Sequence, residues 1–315
     1  MIGMRKTDAF LQELAFQSST YGEGKIDKEK EEYDMTAWTE GDVQVNDITI
    51  HYYRTGDKNK PSVLLLHGIT DSGRCWSRMA ADLAGSYDVI MTDARGHGHS
   101  GTSTGEVSIS LLAGDAIAVI GALGLQKPFL VGHSMGAITA ATVAANAPDV
   151  VRAIVLEDPP LLDKPPSQTD INKGLVGTNE EQSAPSGWQW LFELRALPRE
   201  ERIARGHALN PTWAEEEIIP WADSKAEMNI AFLEPAHAAV IAFRWREIMA
   251  RIQCPILLIT GDPQLGAVVT PEAAQQAAQL WKQGEVVHIA GAGHNIRRDR
   301  YAEMMGAVKA FLNKA

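Results

Sequence analysis

The chain has 315 residues, 45% of them hydrophobic and 22% charged, which excludes a mainly disordered chain, a collagen-like repeat and a disulfide-dense miniprotein. Lys and Arg number 29 against 40 Asp and Glu, a formal charge of −11 that repels a phosphate backbone or an anionic lipid surface. The expected partner is a small-molecule substrate, with no nucleic acid and no membrane.

Residues 1–40 stand apart as an N-terminal helical extension. Phe10, Leu11, Leu14 and Phe16 have roughly helical spacing, and 25–34 is almost all charged. Asp8 and Glu13 interrupt the apolar residues, so no signal peptide is expected. No apolar run approaches the roughly 18 residues of a membrane helix, and the reading is cytoplasmic. Cys75 and Cys254 belong to no CxxC pair; buried free thiols are expected, one disulfide being possible but not required.

From Val43 the pattern changes. Residues 43–45 and 48–54 alternate as a β-hairpin around Asn46-Asp47. Short apolar runs at 62–66, 87–92, 128–132, 151–156, 255–260 and 285–289 suit strands buried on both faces of a mostly parallel sheet. Helical spacing fills 73–84, 108–123, 135–146, 271–281 and 297–312, with Pro271 suited to a first turn. This alternation predicts an α/β fold with a doubly wound sheet.

One segment breaks the rhythm. From 159 to 251 no strand is evident, and it holds Trp188, Trp190, Trp213, Trp221 and Trp245. The expectation is a helical cap at 159–251 inserted between strands six and seven of a core made of 41–158 and 252–315. Most of the rings are expected to fill the cap's own core. Trp188, Trp190, Trp213 and Trp221 are the candidates for lining a pocket.

Gly132-His133-Ser134-Met135-Gly136 follows an apolar strand and precedes an Ala-rich helix. This is the G-x-S-x-G nucleophile elbow in the strand–turn–helix setting that its mechanism needs. A tight turn lifts the Ser134 hydroxyl clear of the sheet, and the helix behind it aims N–H groups at an anion.

With these residues the chain resembles an α/β-hydrolase, from about Val43 to the C-terminus. His67-Gly68-Ile69 closes the third strand, as the family's oxyanion loop does. Asp93-Ala94-Arg95-Gly96-His97-Gly98-His99-Ser100 is similar to the family's D-x-R-G-x-G-x-S turn, and Gly291-Ala292-Gly293-His294 follows the last strand, where the family keeps its histidine. The resemblance implies Ser134 as nucleophile, His294 as base, and the amides of Ile69 and Met135 as the oxyanion hole.

The acid departs from the family pattern. In most members it stands three residues beyond a glycine on the strand after the cap, and here that position is Gln264. Asp158, at the end of strand six as in the zearalenone lactone hydrolases, ranks ahead of Asp262, with Glu157 third. His67 is expected to support the oxyanion loop and His133 to pack beside the elbow. The His97–His99 pair is expected to form buried hydrogen bonds, not a metal site.

Serine at the elbow disfavours the dehalogenases and epoxide hydrolases that resemble this fold but use aspartate there. The expected reaction is hydrolysis of a carboxylic ester or lactone of a medium-sized apolar small molecule through an acyl-enzyme. Amide hydrolysis, a cofactor-free perhydrolase or haloperoxidase-like activity, and a hydrolase-derived binding protein are the alternatives. No dinucleotide or Walker loop is present, so no cofactor is implied. The oligomeric state is not legible.

Overall fold

The computed structural model describes residues 38–102, 105–163 and 187–315. The expected N-terminal helix, with Phe10 to Phe16, lies outside them, as do residues 164–186 of the expected cap.

The hairpin forms as β1 (Thr39–Val45) and β2 (Ile48–Arg54), with Asn46 at φ 51° in its turn. There follow β3 (Ser62–Leu66), α1 (Ser77–Ala84), β4 (Asp88–Thr92), α2 (Ile109–Ala122), β5 (Phe129–His133), α3 (Met135–Asn146) and β6 (Ile154–Glu157). Helices then replace strands: α4 (Gln189–Ala196), α5 (Arg199–Leu209), α6 (Glu215–Glu227), α7 (Ile230–Ile241) and α8 (Trp245–Met249). The chain re-enters the sheet with β7 (Ile256–Thr260), α9 (Pro271–Ala278) and β8 (Gly284–His288), and closes with α10 (Ile296–Asp299) and α11 (Tyr301–Leu312).

The eight strands lie in the order β1-β2-β4-β3-β5-β6-β7-β8. β2 runs antiparallel to both neighbours, and β3 to β8 are parallel. This is the α/β-hydrolase fold. The runs that suggested strands do form them, because a central parallel strand is covered on both faces and stays apolar throughout. Alternate residues face opposite sides. Leu64, Leu130 and Ile154 pack with Ile120, Ala140 and Trp245 on one face; Val63, Val131 and Val155 pack with Met79, Leu83 and Val308 on the other.

Two helix expectations differ in detail. Residues 73–76 are a tight 3-10 turn before α1. The expected helix 297–312 is two helices, because Arg300 sits at φ −138°, ψ 62°, outside helical geometry.

Candidate active site

Ser134 is the single residue between β5 and α3. Its backbone has φ 52° and ψ −115°, a conformation that a side-chain-bearing residue adopts at a cost of about 1–3 kcal/mol. Crowding on either side explains the two glycines. A Cβ on Gly132 would lie 2.3 Å from the Gly136 carbonyl oxygen, and one on Gly136 would lie 2.0 Å from that of Leu66. Neither the Met135 amide nor the Ile69 amide has an acceptor among the described residues, so both are free to receive an anion.

His294 stands in the loop after β8, buried at 6% exposure. Its Nδ1 lies 2.6 Å from Asp158 Oδ2. A carboxylate only accepts, so Nδ1 carries the hydrogen and Nε2 keeps its lone pair. Asp158 follows β6 directly, has φ 41° and is fully buried. Its two oxygens also accept the amides of Val268 (2.7 Å) and Val269 (2.9 Å), which hold the carboxylate toward the histidine.

The other acids are occupied elsewhere. Asp262 accepts the Gly291 amide at 2.6 Å and contacts His288 Nε2 at 3.0 Å. Glu157 takes the Arg297 amide (2.8 Å) and its guanidinium (3.1 Å). Gln264 lies exposed in the short Pro263–Leu265 turn.

The loop from His67 to Asp71 carries the Ile69 amide and is held by the carbonyls of Gly68, Ile69 and Thr70. His67 donates from Nδ1 to the Gly68 carbonyl at 2.8 Å and accepts the Ala94 amide on Nε2 at 2.9 Å. Burial, then the neighbouring His97, depresses its pKa to about 3. His97 Nε2 lies 2.7 Å from the Ile69 carbonyl oxygen. His133 packs beside His294 with ring centroids 4.7 Å apart and planes tilted by 46°, and its Nε2 lies 3.0 Å from the His294 carbonyl oxygen. His99 departs from expectation: it is exposed and stacks on His51, because Gly98 turns the chain outward. Among the described residues no His, Cys, Asp or Glu cluster is arranged to hold a metal. Cys75 and Cys254 are both free, Cys75 buried and Cys254 half-buried.

A recess beside Ser134 is lined by Ile69, Asp71, Trp221, His294, Asn295 and Arg298, among others. Of the four candidate tryptophans only Trp221 lines this recess. Trp188, Trp190 and Trp213 sit in an apolar cluster that also contains Ile69 and Met135. The Trp213 indole donates to Asp299 at 2.7 Å, and Asp299 in turn accepts the Gly293 amide at 2.8 Å, which ties the helical segment to the histidine loop.

Sequence reasoning did not anticipate the buried ion network behind the recess. Asp71 accepts from Arg297 (2.9 Å), Arg298 (3.0 Å) and Lys225 (3.3 Å). Burial alone would raise the Asp71 pKa, but Arg298, Lys225 and Arg297 together hold it well below the usual carboxylate range. Burial lowers Lys225 to about 8 against the pull of Asp71. Nothing in the spacing of Asp71, Lys225 and Arg298 announces this cluster, since its members come from three distant segments. The adjacent Arg297-Arg298 pair shortly after His294 was the one available signal.

The model of the alpha/beta hydrolase family matches residues 63–307. The chain belongs to the alpha/beta hydrolase family. This hydrolase is 24% identical over 300 residues to epoxide hydrolase 1 of Caenorhabditis elegans, spanning 89% of this chain and 72% of the relative. It is 29% identical over 281 residues to the N-formylmaleamate deformylase of Pseudomonas putida, spanning 87% and 96%. The solved enol-lactonase of Burkholderia xenovorans superposes with a TM-score of 0.66 at 21% identity, over 87% of this chain and all of that one. Among the described residues no helix of this hydrolase is long and apolar enough to cross a membrane.

Proposed function

We propose that this hydrolase cleaves a carboxylic ester or lactone of a medium-sized, largely apolar small molecule through an acyl-enzyme on Ser134. The observation that carries this reading is the 2.6 Å contact between Asp158 and His294, which leaves His294 Nε2 as a base on a histidine whose loop borders the same recess as Ser134. His294 takes the Ser134 proton as Oγ attacks the carbonyl carbon. The amides of Ile69 and Met135 hold the oxyanion, and His294 returns the proton to the departing alkoxide. Water then attacks the acyl-enzyme with His294 again as base, which releases the acid and restores Ser134. In a lactone both products stay in one molecule.

The epoxide-hydrolase relative does not bring its activity over. A serine that opened an epoxide would form an ether, which water does not cleave at neutral pH, whereas an acyl-serine is an ester that it does. The deformylase relative favours a second reading, hydrolysis of an amide or formamide by the same steps. The leaving amine then depends wholly on the proton from His294.

The test is turnover of a short-chain aryl ester, an aliphatic lactone and an N-formyl amide by the wild type and by Ser134→Ala. The expected result is ester or lactone turnover that falls on the order of 10⁶-fold in the variant, as for other triad nucleophiles. Turnover retained by Ser134→Ala overturns the reading. A higher kcat/KM on the formyl amide replaces it with the second.

A further inference from the structure

The geometry points to Lys225 as a positioning residue that holds the loop carrying the Ile69 amide in the orientation an oxyanion requires. This rests on the serine-hydrolase reading above and goes beyond it, because Lys225 stands in the helical segment between β6 and β7 and touches none of the reacting atoms.

Lys225 is fully buried near the end of α6. Its ammonium donates to the Thr70 carbonyl at 2.7 Å, the shortest of its contacts, and lies 3.3 Å from both Thr70 Oγ1 and Asp71 Oδ1. The adjacent Ser224 hydroxyl accepts from the same ammonium at 3.2 Å and lies 3.1 Å from the same carbonyl, while its one hydrogen has a nearer acceptor in the Trp221 carbonyl at 2.8 Å. Two consecutive side chains of one helix thus converge on one backbone oxygen some 155 residues away.

Lys225 completes a balanced cluster in which Asp71, Glu157 and Glu217 face Arg297, Arg298 and Lys225, since the two guanidiniums at 2.9 and 3.0 Å from Asp71 also serve Glu157 and Glu217. Besides that charge, Lys225 supplies the third of three successive peptide anchors. The Gly68 carbonyl is held by His67 and by the Asp71 amide (3.0 Å), the Ile69 carbonyl faces His97, and the Thr70 carbonyl is held by Lys225. An amide that stabilises an oxyanion acts through its direction, so a loop fixed on each side of Ile69 keeps the donor aimed before substrate arrives.

The test compares the wild type with Lys225→Met, whose unbranched stem fills the same space and leaves Asp71 paired to both arginines. Three quantities are read: kcat and KM for the aryl ester, the affinity of an arylboronic acid, and the melting midpoint. The boronic acid forms a tetrahedral adduct on Ser134 with an oxygen at the oxyanion position. Positioning predicts a kcat lower by about 10–100-fold, of the size a 1 Å misplacement costs. Boronate affinity should fall in step, with KM within about twofold. A lowered melting midpoint with wild-type kcat and boronate affinity overturns the inference, as does a rise in KM alone. If Lys225→Met does not fold, Ser224→Ala removes the hydroxyl that accepts from the Lys225 ammonium at 3.2 Å beside the Thr70 carbonyl and is read on the same three scales, with a several-fold loss expected. A wild type inert toward both ester and boronate defeats the serine-hydrolase reading itself, a result distinct from an active wild type matched by its Lys225 variant.

Discussion

Asp158 Oδ2 and His294 Nδ1 meet at 2.6 Å although 136 residues separate them in the chain. They meet because β6 and the loop after β8 end at the same edge of the sheet, one strand apart across β7. The partner strand between them carries Asp262, which turns instead to Gly291 and His288.

That arrangement makes the two acids separable by substitution. Asp158→Asn should lower kcat by on the order of 10⁴, since an amide cannot hold the imidazolium in its charged form or enforce the tautomer. Asp262→Asn should stay within about tenfold of the wild type, because its side chain is bonded to His288 and Gly291 and not to His294. Steady-state kinetics on one ester decides the ranking, and the reverse order would move the acid to β7.

Gly136→Ala addresses the elbow through sterics alone. The added Cβ would meet the Leu66 carbonyl oxygen at 2.0 Å, and because the obstacle is backbone, β3 or α3 must shift. A loss of about 1–3 kcal/mol, the usual cost of overpacking, is expected in urea unfolding. Activity per folded molecule should fall as well, since the same shift displaces the Met135 amide.

His67 sets a pH dependence of stability. In the fold its pKa is depressed to about 3 by burial and by His97, against an ordinary value near 6.5 in the unfolded chain. Between these values the unfolded state binds a proton that the folded state refuses, so stability falls as pH drops from about 6.5 toward 3, by about 1.4 kcal/mol per pH unit from this group. Above about 6.5 the histidine is neutral in both states and its contribution is level. Urea unfolding of the wild type and of His67→Gln at pH 7 and pH 5 should show a shallower decline in the variant. Equal declines would mean that His67 titrates normally in the fold.

Much of this hydrolase was legible locally. The apolar runs that became β3 to β8, the turn at Asn46-Asp47 and the elbow around Ser134 depend on side-chain periodicity and on glycine at close approaches, all of them properties of short windows. The resemblance carried His294 and the loop at Ile69. It ranked Asp158 above Asp262, and the contact to His294 is made by Asp158.

The remainder depends on which strand ends and helices become neighbours in space. Gln264 looked like a gap in the machinery, yet Asp158 reaches His294 because parallel pairing through β7 brings the end of β6 and the loop after β8 to the same side of the sheet. Trp221 borders the recess whereas Trp188 and Trp190 do not, a distinction set by how α4 and α6 pack, not by residue type. The buried meeting of Asp71, Lys225, Arg297 and Arg298 is decided in the same way. A charge is solvated and uninformative along the sequence, and it acquires partners only when distant segments bury it together.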